Sequence, residues 1–147
     1  MIYVFALLIF IAGLIAGSIL FTDTKPRIPL PVHVRNKGWD VHEIAGLYAS
    51  VVVQKFPGLI PKVLLETDKT IAFEHPRPKH KIHYMFVPKK DIKNIGELSE
   101  HDKGYILDLF SSMAAIINDL GITNYQIMSN GPGKQDVAYL HFHLWAD

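Results

Sequence analysis

The sequence predicts an α+β domain, an antiparallel sheet of about five strands packed with one main helix, preceded by a single transmembrane helix. Three observations carry this. Residues 1–21 hold no charged side chain. Short apolar runs rich in β-branched and aromatic residues recur between turn residues. One long stretch, Ser99 to Leu120, shows a broad apolar stripe at helical spacing.

At about 1.5 Å of rise per residue, a helix over 1–21 reaches roughly 30 Å, the thickness of a bilayer core. A cleaved signal peptide would want a positive segment before the apolar run, and no Lys or Arg precedes it, so a retained anchor is the expectation. Gly13 and Gly17 are spaced for close helix approach, or are ordinary small residues of a span. Lys25, Arg27, Arg35 and Lys37 all follow the run, which puts the soluble domain on the cytoplasmic side of a single-pass protein. Residues 22–37 form a linker whose Pro26, Pro29 and Pro31 favour a stiff, extended spacer holding the domain off the headgroups.

The chain has 147 residues, enough for one modest domain over 38–147. A net charge of +1 gives no electrostatic case for nucleic acid. The absence of Cys excludes disulfides, thiolate metal sites and thiol nucleophiles. Eight His are then the groups suited to chemistry near neutral pH.

Val41 to Phe56 reads as an amphipathic helix, with a strand as the alternative because of Val51-Val52-Val53. Val63–Glu66, Thr70–Phe73 and Ile82–Val87 read as strands, the last closed by Pro88. Ser99 with Asp102 is a helix-starting cap and Gly121 a stop. Tyr125–Met128 and Val137–Leu144 are two further strands, joined through the turn Asn130-Gly131-Pro132-Gly133.

On the closing strand Tyr139, His141 and His143 share one face, and Leu140, Phe142 and Leu144 the other. The apolar face packs on the helix layer. The opposite face presents two imidazoles about 7 Å apart, able to act as nucleophile, proton shuttle or anion ligand. Spacing alone leaves two satisfied surface histidines, or part of a metal site, as alternatives. A zinc site of His80, His83, His141 and His143 is disfavoured because strand positions three apart point to opposite faces. No metal or cofactor is expected. His33, His42, His75 and His101 have no partner pattern and read as surface residues, and the basic residues Arg77, Lys79, Lys81, Lys89, Lys90 and Lys93 read as a solvated rim.

Gln135-x-Val137-x-Tyr139-Leu140-His141-Phe142-His143-Leu144-Trp145 resembles the signature of the histidine triad (HIT) superfamily. Ile60–Asp68 with Ile71-Ala72-Phe73, and Pro78-x-x-x-x-His83-Tyr84-Met85-Phe86-Val87-Pro88, resemble its two upstream blocks. The resemblance covers roughly residues 60–144. It implies a nucleotide-binding α+β fold, often dimeric, that cleaves phosphoramidate, phosphoanhydride or phosphate-ester links to a nucleoside monophosphate. By the same resemblance His141 is the nucleophile, His143 contacts the phosphate and His83 supports the triad. Ser129, Asn130, Gln135, Asp136 and Tyr139 fall around the substrate, and Phe73 helps to wall the base.

The sequence departs from the signature at several points. Tyr139 stands at the first triad position, Asp136 lies where a small donor is usual, the turn before Gln135 is about one residue short, and little chain follows the last strand. Two functional expectations follow. One is a membrane-anchored nucleotide hydrolase or transferase with a covalent histidine intermediate. The other is a catalytically inactive docking subunit of a larger membrane complex.

Overall fold

Val63–Glu66 (β1) and Thr70–Glu74 (β2) turn back on each other through Thr67, whose hydroxyl accepts from the N–H groups of Lys69 at 3.1 Å and Thr70 at 2.8 Å. From this hairpin the computed structural model, which describes residues 2–26 and 41–147, builds one five-stranded sheet. β3 spans Ile82–Pro88, β4 Gln126–Met128 and β5 Phe142–Ala146. The order is β1-β2-β3-β5-β4 and every neighbouring pair is antiparallel. The helices are α1 (Ile2–Phe21), α2 (Val41–Lys55) and α3 (Lys103–Asp119). The helix expected over 41–56 is therefore formed, and the strand alternative is not.

Alternation sorts the sheet into two faces. Ala72, Phe86, Phe142 and Leu144 point to α3 and pack with Leu109, Met113 and Ile116, as the apolar face of the closing strand requires. α3 begins where Asp102 accepts from the backbone N–H of Ser99 at 2.8 Å and from its hydroxyl at 2.7 Å. It ends at Gly121, whose φ of +61° lets the chain leave the helix while Ile122 N–H reaches the Ile117 carbonyl.

The other face carries a smaller core of Val53, Ile71, Val87 and Tyr139 beneath α2. α2 lies close because residue 46 is glycine; a Cβ there would stand 2.5 Å from the Ala138 carbonyl oxygen. The Ala138 N–H donates to the carbonyl of His42 at 3.1 Å, which fixes the helix to the chain entering β5.

The closing strand is shorter than its alternation suggests, because residues 137–141 precede the ladder. Their amides bond elsewhere: Ala138 to α2, Tyr139 to the Val137 carbonyl, and Leu140 to the Ile92 carbonyl at 2.6 Å. This irregular approach still keeps Leu140 in the α3 core and Tyr139 under α2.

Immediately after α1 the chain is clasped to the domain. Asp23 pairs with Lys55, and its carbonyl accepts from the Gln54 amide at 3.5 Å. The Lys25 N–H donates to the buried Asp91 carboxylate at 2.7 Å, and its ammonium meets Glu97 at 2.8 Å. The first residues of the expected spacer thus lie against the domain; 27–37 fall outside the described residues.

Candidate active site

A cleft of about 740 Å³ opens on the α2 side of the sheet. Ala49 and Val53 of α2, with Phe73, Met85, Val87 and Val137, make it apolar at one end. At the other end stand His83, His141 and His143, with Arg77, Lys79 and Lys134 around them.

Hydrogen bonds from permanent donors fix the imidazole tautomers. The Lys79 backbone N–H donates to His83 Nδ1 at 3.3 Å, so the neutral ring carries its proton on Nε2. That Nε2–H donates to His143 Nδ1 at 3.0 Å, which in turn puts the His143 proton on Nε2. His143 Nε2 is buried and has no partner among the described residues. It is a free N–H beside the cleft. The Tyr139 carbonyl can only accept, so His141 Nδ1, 2.7 Å away, donates to it and leaves a lone pair on Nε2. The His141 and His143 rings stand edge to face with centroids 5.0 Å apart. An imidazole with a lone pair on Nε2 and one with an N–H on Nε2 are therefore in ring contact, and both line the cleft.

Burial keeps these rings neutral. Desolvation, followed by the neighbouring histidines, lowers His143 to about 4. Desolvation with the nearby His75, His80 and Lys79 lowers His83 to about 4. His141 is also lowered, chiefly by burial, while its bond to the Tyr139 carbonyl and the charge of Asp136 oppose the shift.

Of the residues singled out from the sequence, His83, His141, His143, Tyr139, Asn130, Asp136 and Phe73 come together around the cleft. Tyr139 is wall and scaffold: its hydroxyl donates to the Pro88 carbonyl at 2.8 Å and its carbonyl orients His141. The carboxylate of Asp136 is exposed and makes no ion pair among the described residues, so it neither plugs the cleft nor pairs with Lys134. Ser129 and Gln135 do not line the cleft. Gln135 is buried, its amide donating to the Lys93 carbonyl at 3.1 Å, so it ties the approach to β5 onto the β3–α3 connection. The Ser129 hydroxyl is buried without a partner.

His75, read as a surface residue, belongs to the site. Its ring stacks on His83 at 4.0 Å and 7°, because the β2–β3 register carries on past Glu74↔Tyr84 to set it opposite His83. The signal was present: His75 follows Phe73 at strand spacing, as His83 precedes Met85. His80 diverges from the trio, stacking on Trp145 and pairing with Asp147.

His75, His83 and His143 bring one nitrogen each within 4.8 Å of one another, a distance that invites a metal. The donors do not fit one as they stand. The Arg77 N–H occupies His75 Nδ1 at 3.1 Å and the Lys79 N–H occupies His83 Nδ1, which places a proton on the Nε2 of each. Parallel rings also cannot both point an in-plane lone pair at one ion. The cluster is built for hydrogen bonding.

The profile of the family described as "Scavenger mRNA decapping enzyme C-term binding" matches residues 57–147. The chain belongs to the HIT superfamily. An uncharacterized HIT-like protein of Methanocaldococcus jannaschii is 29% identical over 90 residues, 59% of this chain and 70% of that protein. One of Buchnera aphidicola is 30% identical over 92 residues, covering 59% and 82%. Among solved structures, a HIT family hydrolase from Clostridium thermocellum superposes with a TM-score of 0.60 at 25% identity, over 66% of this chain and 89% of that one. A HIT family hydrolase from Legionella pneumophila gives 0.58 at 25%, over 64% and 88%. The five-stranded antiparallel sheet is thus the HIT fold.

Proposed function

We propose that this HIT domain is a nucleotide hydrolase or transferase that takes a nucleoside monophosphate group onto His141. The observation that carries the reading is a pair of rings that line one cleft with centroids 5.0 Å apart: His141, with its Nε2 unprotonated, and His143, whose Nε2–H has no partner among the described residues. The apolar end, with Phe73 and Val53, suits a base, and the cleft's volume suits a mononucleotide.

In the first step the His141 Nε2 lone pair attacks phosphorus, an N–P bond forms, and the bond from phosphorus to the leaving nitrogen or oxygen breaks with its electron pair, which takes up a proton from water. His143 Nε2–H donates to a non-bridging oxygen as charge builds there. The Tyr139 carbonyl steadies the cationic ring through Nδ1–H. Water then attacks phosphorus and gives up a proton to solvent, the N–P bond breaks with its electron pair returning to Nε2, and neutral His141 and the monophosphate are released.

The open cleft and unpaired Asp136 favour this over the inactive docking reading. Purified protein given an adenosine 5′-phosphoramidate should release AMP and show a trapped adenylylated histidine, both lost in His141→Ala. Equal turnover by both proteins would remove His141 from the chemistry, and no turnover or nucleotide binding by either would favour the docking role.

The same reading makes α1 a membrane anchor with the domain on the cytoplasmic side. It is supported by a 20-residue helix of mean hydropathy 2.8 without buried residues, and by the cations that follow it. Protease access to sealed vesicles tests the side. A homodimer through the exposed Phe110, Leu120, Tyr125 and Ile127 on α3 and near β4 is part of the proposal, read out by light scattering in detergent.

A further inference from the structure

α2 has two apolar faces. Gly46, Ser50 and Val53 are buried toward the sheet, yet Val41 and Tyr48 on the opposite side are 65% and 71% exposed, with Ile44 between them at 41%. The 3-10 turn that follows, Pro57–Leu59, adds Leu59 at 70%, and Phe56 just before it is 45% exposed. A helix apolar on both sides calls for a cover on both. The sheet is one.

The second cover follows from where α1 arrives. Lys55 lies on the outer side of α2, one turn beyond the Val51-Val52 pair and two beyond Tyr48, and it is the residue that holds Asp23, two positions after α1 ends. Gln54 holds the Asp23 carbonyl from the same turn. The exit of the anchor is therefore fastened to the end of the exposed stripe. α1 is itself unburied along its length, so it does not cover that stripe. Among the described residues, the one acid of α2, Glu43, is engaged by Lys93, and Asp23 at the end of the stripe is paired with Lys55.

Building on the anchor reading above, we propose that the outer face of α2 lies on the bilayer, with Val41, Ile44, Tyr48, Phe56 and Leu59 at the boundary of headgroups and acyl chains. Tyr48 supplies the amphipathic ring favoured at that depth. The inner face of the same helix gives Ala49 and Val53 to the cleft, so α2 is a partition with lipid on one side and the nucleotide site on the other.

The chain has no cysteine, so a single introduced one can be labelled uniquely. Tyr48→Cys, Val41→Cys and, as the aqueous reference, Leu107→Cys on α3 would each carry an environment-sensitive fluorophore. The full chain is then placed in lipid nanodiscs at one copy per disc, where both leaflets face solvent. The labels at 48 and 41 should be blue-shifted and quenched by iodide at least about threefold less than the label at 107. Equal quenching in protein that co-elutes with discs would overturn the docking of α2 while leaving the anchor intact. Shielding that requires two copies per disc would assign the face to a second chain and overturn it as well. A chain that does not enter discs would sink the anchor reading and this inference together.

Discussion

His83 Nε2 lies 3.0 Å from His143 Nδ1, and because the Lys79 amide already occupies the far side of His83, the proton between them belongs to His83. His83 therefore decides which nitrogen of His143 carries the proton.

Removing the two rings should separate their roles. His143→Ala deletes the donor itself and should cost about 10²–10³ in kcat. His83→Ala leaves His143 free to take the wrong tautomer and should cost about 10–100-fold. His83→Gln, which keeps an N–H donor, should recover part of that loss. Steady-state kinetics on a phosphoramidate substrate check the order, and equal losses in all three would deny His83 an orienting role.

The lowered His83 and His143 set the pH behaviour. Both bind protons less readily in the fold than in the unfolded chain, so the unfolded state holds more protons between about 6.5 and about 4. Stability is then fully present above 6.5 and falls as pH drops through that window. Asp102, held down to about 2 by Lys90 and Ser99 against the opposing effect of burial, contributes a further loss only below its ordinary value of 3.8. Urea midpoints should decline from pH 6.5 to 4, and the acid limb of activity should lie below 6.5. A midpoint flat across that range would contradict the buried neutral rings.

Among the described residues Asp136 is the only carboxylate lining the cleft, against Arg77, Lys79 and Lys134. Asp136→Asn should tighten nucleoside monophosphate binding by severalfold, on the order of 1 kcal/mol, with the gain shrinking as salt is raised. Calorimetric titration at two ionic strengths measures it; unchanged affinity would place the phosphate away from Asp136.

Gly46→Ala must push α2 off the Ala138 carbonyl, since the new Cβ would begin 2.5 Å from that oxygen. The cost is about 1–3 kcal/mol of stability, with KM raised more than kcat is lowered because the wall of Ala49 and Val53 moves. Denaturation and kinetics on the one variant test both parts.

The fold was legible because its signals are periodic. The apolar, β-rich run Ile82–Val87 is a strand with core on both faces, the helical stripe from Tyr105 to Leu120 buries one face, and Ser99 with Asp102 and Gly121 bound the helix. His141 and His143 were legible for the same reason. His75 was legible only in part: its spacing from Phe73 is that of a strand, but only the β2–β3 register across the hairpin brings it over His83. The clasp was silent, since Lys25 meets Asp91 and Glu97 across 66 and 72 residues, and single polar pairs at such separations leave no pattern. Residues 137–141 misled in the other direction: their side chains alternate like a strand while their amides bond outside the ladder.

The contact that aims His141 is made by the peptide oxygen of residue 139, not by its side chain. A main-chain acceptor survives any change of side chain that leaves the local path of the chain intact. The position can thus drift from imidazole to phenol under selection for packing beneath α2 alone, while the His141 ring keeps its aim. Tolerance at 139 and intolerance at 141 would then coexist two residues apart.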